Sequence, residues 1–205
     1  MLDIAYASPA EREEVAQFMN AVFVRAKWGI ESWRALLAGR WCGPEGRYAI
    51  TVRDDGKLIG VLGLVYAERQ TSNGPRTTAD MTSWYVLKDY RGQGVGKKMI
   101  ALATLDPDVT VTNFSSAKAA VNVLEKAGLR ELDRERLVWH PSKDAGFDVH
   151  EDPLSLGDRL PAKDRRIIED HQGLRLRFLS VETPEGLCTM VIYPQKKHDD
   201  YVTHE

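Results

Sequence analysis

Apolar residues recur at helical spacing near the start of the chain. Val15, Phe18, Met19 and Val22 share one face, and Ser8-Pro9 offers a capping residue followed by a first-turn proline. Glu11, Glu13 and Glu14 place negative charge at the positive end of the helix dipole. The pattern predicts a helix over Pro9–Val24 and a shorter one over Ile30–Ala38, closed by Gly39. The period then shortens to that of strands. Tyr48–Arg53, the turn Asp54-Asp55-Gly56 and Lys57–Arg69 read as a hairpin. After the polar turn Gln70–Arg76, the β-prone run Thr77–Val86 is a third strand, and such short turns predict antiparallel neighbours.

Helical spacing returns at Gly94–Leu105, with Val95, Met99 and Leu102 on one face and Asp106-Pro107-Asp108 as the stop. A strand at Val109–Phe114, a helix at Ser116–Ala127 capped by Gly128, and a strand at Arg134–His140 follow. The order predicts one mixed α/β domain over residues 1–140. Residues 141–157 read as a linker. Residues 158–205 read as a small extension, with a helix over Pro161–His171 and a hairpin of Leu174–Glu182 and Leu187–Tyr193. One helix and one hairpin make a marginal fold, so the extension is expected to dock on the main domain or to pair its open edge in a homodimer. The charged tail Gln195–Glu205 is expected to be loose.

Composition narrows the function classes. The chain has 205 residues, 43% hydrophobic and 28% charged, with a net charge of −2. These values fit a soluble globular protein and argue against a broad nucleic-acid footprint. The opening residues lack the basic start and apolar run of a secretory leader. The longest apolar run, Leu58 to Ala67, is about half the ~20 residues a bilayer span needs. Cys42 and Cys188 form neither a framework nor a metal spacing. A cytoplasmic protein without membrane or metal partner is expected. His150-Glu151-Asp152 and Glu169-Asp170-His171 have no ligand spacing and read as solvated surface.

One segment carries chemistry. Between Trp84 and Lys98 a strand runs into a loop holding Gly92, Gly94 and Gly96, and the loop opens a helix. Glycines let backbone N–H groups approach an anion, the helix N-terminus adds partial positive charge, and Arg91, Lys97 and Lys98 add full charges. A phosphate or pyrophosphate is the matching ligand. A Walker loop fits poorly, because Lys98 stands where a hydroxyl residue belongs. A dinucleotide fingerprint fits poorly too, because the spacing is wrong and the loop follows an antiparallel meander. A helix-opening turn without ligand is the bland alternative.

The run from Val86 through Tyr90, Arg91, Gly92, Gly94 and Gly96 resembles the acyl-CoA pyrophosphate motif of the GNAT superfamily of acyl-CoA-dependent N-acyltransferases. The family pattern [Q/R]-x-x-G-x-[G/A] is met by Arg91, Gly94 and Gly96. Val123–Leu129 (VLEKAGL) resembles the family's "lYeklGF" helix end, and the resemblance spans roughly residues 1–140. It implies a GNAT-like fold with acetyl-CoA or another acyl-CoA as co-substrate and a small-molecule or peptide amine as acceptor. It implies that the amides of Gln93, Gly94, Val95, Gly96 and Lys97, led in by Arg91 and Gly92, hold the pyrophosphate. Tyr85, Val86 and Leu87 would pair with pantetheine through their backbones, with an amide such as that of Val86 polarising the thioester carbonyl. Thr112 and Asn113 would form the opposite wall. Asp80 falls where several relatives carry a catalytic glutamate and is the expected base, working through water, with Glu68 as the alternative.

The family's tyrosine acid is missing: Leu124 holds its position, and Ala117 holds that of a frequent asparagine. Tyr85, Tyr90, Ser115 or Ser116 would have to substitute, or the thiolate leaves unassisted. Catalysis weak or lost is the third outcome, giving a non-catalytic acyl-CoA-binding or sensor module. A nucleotide-binding oxidoreductase is the remaining alternative. Trp28, Trp33 and Trp41 either wall an acceptor pocket or pack the second helix on the sheet.

Overall fold

The computed structural model describes residues 1–205 apart from 27, 42–45, 115, 134, 136–145, 198, 199 and 205, and the backbone alone for 194–204. It divides into two compact units, Met1–Glu135 and Arg136–Glu205.

The first unit is built on a five-stranded sheet in the order β1 (Leu2–Tyr6), β2 (Ala49–Asp54), β3 (Lys57–Thr71), β4 (Gly74–Val86) and β5 (Val109–Thr112). Neighbours are antiparallel except β4 and β5, which run parallel. Helices α1 (Arg12–Val22) and α2 (Ile30–Leu37) cover one face, and α3 (Val95–Ala103) and α4 (Lys118–Lys126) the other. This is the mixed α/β arrangement the pattern predicts. Two differences stand out. The first predicted helix begins with a separate 3-10 turn at Pro9–Glu11 and ends at Val22. Strand β1 was not predicted, although Leu2, Ile4 and Tyr6 alternate with Asp3 and Ala5; five residues are too short a run to separate from noise. The predicted strand Arg134–His140 lies mostly outside the described residues.

Each face has its own core. Val15, Ala16 and Met19 of α1 and Trp33 and Leu37 of α2 bury against Ala49, Leu58 and Val61. On the opposite face Met99, Ile100 and Leu124 pack on Ile50, Ile59, Leu64, Ala79 and Met81. Ion pairs fix the first helix. Arg53 on β2 donates to Glu11 at 2.7 Å, and also to Glu14, while Arg34 on α2 pairs with Glu13 at 2.6 Å. Tyr48, fully buried, donates its hydroxyl to the Ser8 carbonyl at 2.8 Å, and burial pushes its phenol up to about 12.

The second unit holds a four-stranded antiparallel sheet, β6 (Val149–His150), β7 (Arg177–Thr183), β8 (Gly186–Lys197) and β9 (Asp200–His204), with α5 (Ala162–Asp170). The predicted hairpin forms with Thr183 opposite Gly186. The segment read as a linker carries β6 and a 3-10 stretch at Pro153–Arg159, because Val149 and His150 pair with Val181 and Ser180. The tail is not loose backbone: residues 200–204 pair with Tyr193–Lys197 as a further strand. Glu182 accepts from His150 at 2.7 Å and Arg159 at 2.5 Å, and these contacts, Arg159 first, hold its carboxyl below the usual range. No helix among the described residues is long and apolar enough to cross a membrane.

The Glu11 carboxylate accepts from the Ser8 amide at 2.7 Å, and this bond, with Arg53, depresses its pKa. A depressed carboxylate contributes stability above its unfolded pKa and loses it as pH falls through the folded value. Glu11→Gln is therefore expected to cost about 1 kcal/mol at pH 7. It is also expected to flatten the loss of stability below about pH 4.5. Urea titrations of both proteins at pH 7, 4 and 3 check this; parallel curves would contradict it.

Candidate active site

The site grows from an irregularity in β4. Val61 of β3 pairs with Tyr85 and Gly63 with Thr82, so β4 spends three steps where β3 spends two. The extra residue is a bulge at Ser83, which adopts φ 49°, a left-handed conformation that L-residues with a Cβ rarely occupy. The bulge resets the alternation. Ala79 and Met81 face α3, and so do Trp84 and Val86, whereas Tyr85 turns to the α1–α2 face.

Beyond the bulge β4 has no neighbour on its β5 side among the described residues. The β4–β5 ladder covers only Thr77–Asp80 against Val109–Thr112. The Leu87 amide donates to Ile59 O at 2.9 Å, toward β3. By alternation the Val86 amide points into the splay. The predicted backbone trio is thus divided: Val86 offers a free-facing N–H, and Leu87 spends its own inside the sheet. The Val86 carbonyl accepts from Arg91 Nε at 2.7 Å. At the base of the splay Asn113 Nδ2 donates to Met81 O at 3.1 Å and Thr112 Oγ1 to Asp80 Oδ1 at 3.2 Å. Thr112 and Asn113 therefore stitch the two strands together where they begin to part.

The loop lies directly above. Gly92 and Gly94 take φ 77° and 75°, and Gly94 caps α3. The first helical bond runs from Lys98 N to Gly94 O at 3.1 Å, leaving the amides of Val95, Gly96 and Lys97 without an intrahelical acceptor. Gln93 Nε2 donates to Asp89 O at 3.0 Å, bracing the turn. The glycines do different work. A Cβ on Gly94 would meet nothing within 4 Å, so its requirement is conformational. A Cβ on Gly96 would stand 2.4 Å from the Trp84 ring, so its requirement is packing. Trp84, on which the loop helix rests, was not among the predicted site residues; no sequence spacing marks it.

Asp80 is half-buried on the same sheet face as Tyr85. Burial raises its pKa, opposed by the Thr112 hydroxyl, the Phe114 backbone amide and the charge of Arg69. Glu68 pairs with Thr77 and so points from the other face, away from Asp80. Tyr90 donates its hydroxyl to Asp54 at 2.9 Å, a bond that raises its pKa, and Ser116 donates to Asn113 at 2.7 Å. Ser115 lies outside the described residues. Tyr85 lies beneath Arg91, 4.9 Å from ring to guanidinium, and meets the edge of Phe23 at 5.5 Å. Leu124 is buried in the core, so the position is filled by packing. The tryptophans divide: Trp33 is buried and stacked on Phe23 at 5.3 Å, while Trp28 leans on it at 4.7 Å but is half exposed.

A cavity of about 820 Å³ opens between β5 and α4 and touches Thr112, Asn113 and Leu124. It contains none of residues 91–97, so the unbonded amides at the start of α3 lie outside it. Among the described residues no three His, Cys, Asp or Glu side chains gather as a metal site would require.

The family model for the acetyltransferase (GNAT) family matches residues 12–129. The chain belongs to this family. No curated protein matches it. Solved structures share the GNAT fold at low identity. A predicted acetyltransferase of Clostridium acetobutylicum with acetyl-CoA is 10% identical, with TM-score 0.53, covering 67% of this chain and 96% of its own. An aminoglycoside acetyltransferase from an uncultured soil metagenomic sample, in complex with sisomicin, is 15% identical, with TM-score 0.51 and coverage of 69% and 97%. Arabidopsis thaliana NAA60 in complex with acetyl-CoA is 16% identical, with TM-score 0.50 and coverage of 65% and 88%.

Two substitutions separate the glycine roles in this GNAT loop. Gly94→Ala is expected to cost about 1–2 kcal/mol through left-handed strain alone. Gly96→Val is expected to displace Trp84 and alter tryptophan fluorescence in the native state. Urea denaturation and emission spectra of both variants check this; an unchanged spectrum for Gly96→Val would contradict the packing role.

Proposed function

We propose that the chain is an N-acyltransferase that moves an acetyl or other short acyl group from acyl-CoA to an amine. The observation that carries the reading is the bulge at Ser83, which turns the Val86 amide into the splay directly beneath the glycine loop. The residues suit an acyl-CoA. The amides of Val95, Gly96 and Lys97, with the exposed cations of Lys97 and Lys98, match a pyrophosphate. The parted strands leave room for an extended pantetheine arm. Solved structures of the same fold that contain acetyl-CoA support that co-substrate.

The acceptor nitrogen attacks the thioester carbon, and a C–N bond forms as the carbonyl oxygen gains charge. The Val86 N–H stabilises that oxygen. The nitrogen must shed a proton, and Asp80 takes it through water. A carboxylate whose pKa is raised by burial holds a proton more firmly than an exposed one, which makes it the better acceptor. The C–S bond then breaks, and the thiolate takes a proton from solvent; with a thiol pKa of about 8.5 it is a fair leaving group without a dedicated acid. The buried Leu124 favours a second reading, a module that binds acyl-CoA without turning it over.

Asp80→Asn distinguishes the two. CoA affinity is expected to stay close to the wild-type value, because the loop and the Val86 backbone are untouched. Thiol release across a panel of amines is expected to fall by roughly 10²–10⁴. The acidic limb of the wild-type kcat/KM profile is expected above the ordinary aspartate value of 3.8, and to vanish in the variant. Full activity of Asp80→Asn at neutral pH would remove Asp80 as the base. CoA binding without thiol release in the wild type would favour the module. Leu124→Tyr, which inserts a larger polar side chain into a filled core, is expected to cost about 1–3 kcal/mol without raising turnover.

A further inference from the structure

The α1–α2 face of β4 continues past Asp80 as a polar surface that the transfer chemistry does not use. Thr78 and Arg76 follow Asp80 at two-residue steps and so share its face. In register across β3, Val65 stands opposite Asp80, Ala67 opposite Thr78 and Arg69 opposite Arg76. On the β5 side, Thr112 and Thr110 stand beside Asp80 and Thr78. Met19 of α1 covers this face at Gly63, where a Cβ would lie 3.4 Å from its methyl. Beyond it Val65, Ala67 and Asp80 are half-buried, and both arginines are exposed.

Two like charges directly opposite each other on a ladder repel. Neither Arg69 nor Arg76 makes an ion-pair contact among the described residues, although the charge of Arg69 acts on the Asp80 carboxylate and lowers its pKa. Arg69 is not simply splayed into solvent. Arg69 Nε donates to Thr78 Oγ1 at 3.2 Å, and the buried Thr78 hydroxyl is itself anchored on Ala67 O at 3.1 Å. Its guanidinium stands 6.0 Å from the Phe114 ring, and the Phe114 amide bonds the Asp80 carboxylate. Arg69 is thus drawn back along the strand toward Asp80, and its terminal N–H groups make no hydrogen bond among the described residues. A planar fork held in place suits the bidentate recognition of a carboxylate or phosphate.

We propose that the acceptor is an amine that carries an anionic group, a carboxylate or a phosphate, which Arg69 and Arg76 hold while its nitrogen lies toward Asp80. This rests on the acyltransferase reading and names its substrate class. The charges along the face run negative at Asp80 and positive at the arginine pair, the complement of an ammonium joined to an anion by a short spacer. A polyamine would instead set its second ammonium against two guanidinium groups.

The test compares acceptors differing only in the anion: β-alanine with propylamine, and phosphoethanolamine with ethanolamine, with spermidine as the polycation. Thiol release from acetyl-CoA gives kcat/KM for each, and calorimetry on the CoA-bound protein gives acceptor binding. At least one anionic member is expected to exceed its neutral twin by tenfold or more, and which pair does so separates carboxylate from phosphate. Arg69→Gln with Arg76→Gln is expected to bring that ratio to within about twofold, through KM rather than kcat, while Arg69→Lys restores part of it. A preference for spermidine or the neutral twins, or a ratio unchanged in the double variant, overturns the proposal. Should no acceptor release thiol, calorimetry still decides. Anion binding lost in the double variant keeps the anion site and removes the transferase reading. No binding of either anionic amine at millimolar concentration overturns the site.

Discussion

The arrangement depends on one surplus residue in β4. Without it, alternation would carry residues 79, 81, 83 and 85 on one face; with it, Trp84 and Val86 join Ala79 and Met81 while Tyr85 crosses to the other side. That shift points the Val86 amide away from β3 and seats the Trp84 ring under the loop helix. It also places Tyr85 among the aromatic side chains of the α1–α2 side. The left-handed backbone at Ser83 costs of order 1–3 kcal/mol, so the surrounding sheet must hold it in place. The eleven-step β3–β4 ladder, continuing to Thr71 opposite Gly74, is the element long enough to do so.

Most of the first unit was legible in the sequence because its signals are local. Period 3.6 in residues 15–22, the Asp54-Asp55-Gly56 turn and the glycine triplet each follow from a few adjacent side chains. The bulge has no signal of its own in the sequence: Ser83 is neither a glycine nor next to a proline that would announce φ 49°. Strand β1 and the pairing of residues 200–204 escaped because their partners lie far away or in a charged stretch where periodicity is weak. The loop was found as a motif, but the motif does not say which glycine serves conformation and which serves packing. That distinction needed the position of a ring contributed by residue 84.

The carboxylate proposed as the base was legible as a position and not as an environment. Asp80 could be counted from the loop, but its burial and its bonds to Thr112 and the Phe114 amide arise from β5, more than thirty residues later in the chain. The β3–β4 register separates Asp80 from Glu68, which sequence distance alone left as rivals: their side chains lie on opposite faces of the sheet.

Two contacts couple the loop to the strand below it. Arg91, the first residue of the motif, binds the Val86 carbonyl through Nε and lies over the Tyr85 ring, while Gly96, its last, rests on Trp84. Each end of the glycine turn is therefore fixed to a residue of the bulged segment, so any displacement of the turn must also move the backbone that faces the splay. A loop carried on the helix N-terminus alone would need no such ties. Their presence makes the spacing between the amides at the start of α3 and the Val86 amide a property of the folded chain, set before a ligand arrives. That is the preorganisation that the proposed stabilisation of a developing oxyanion requires.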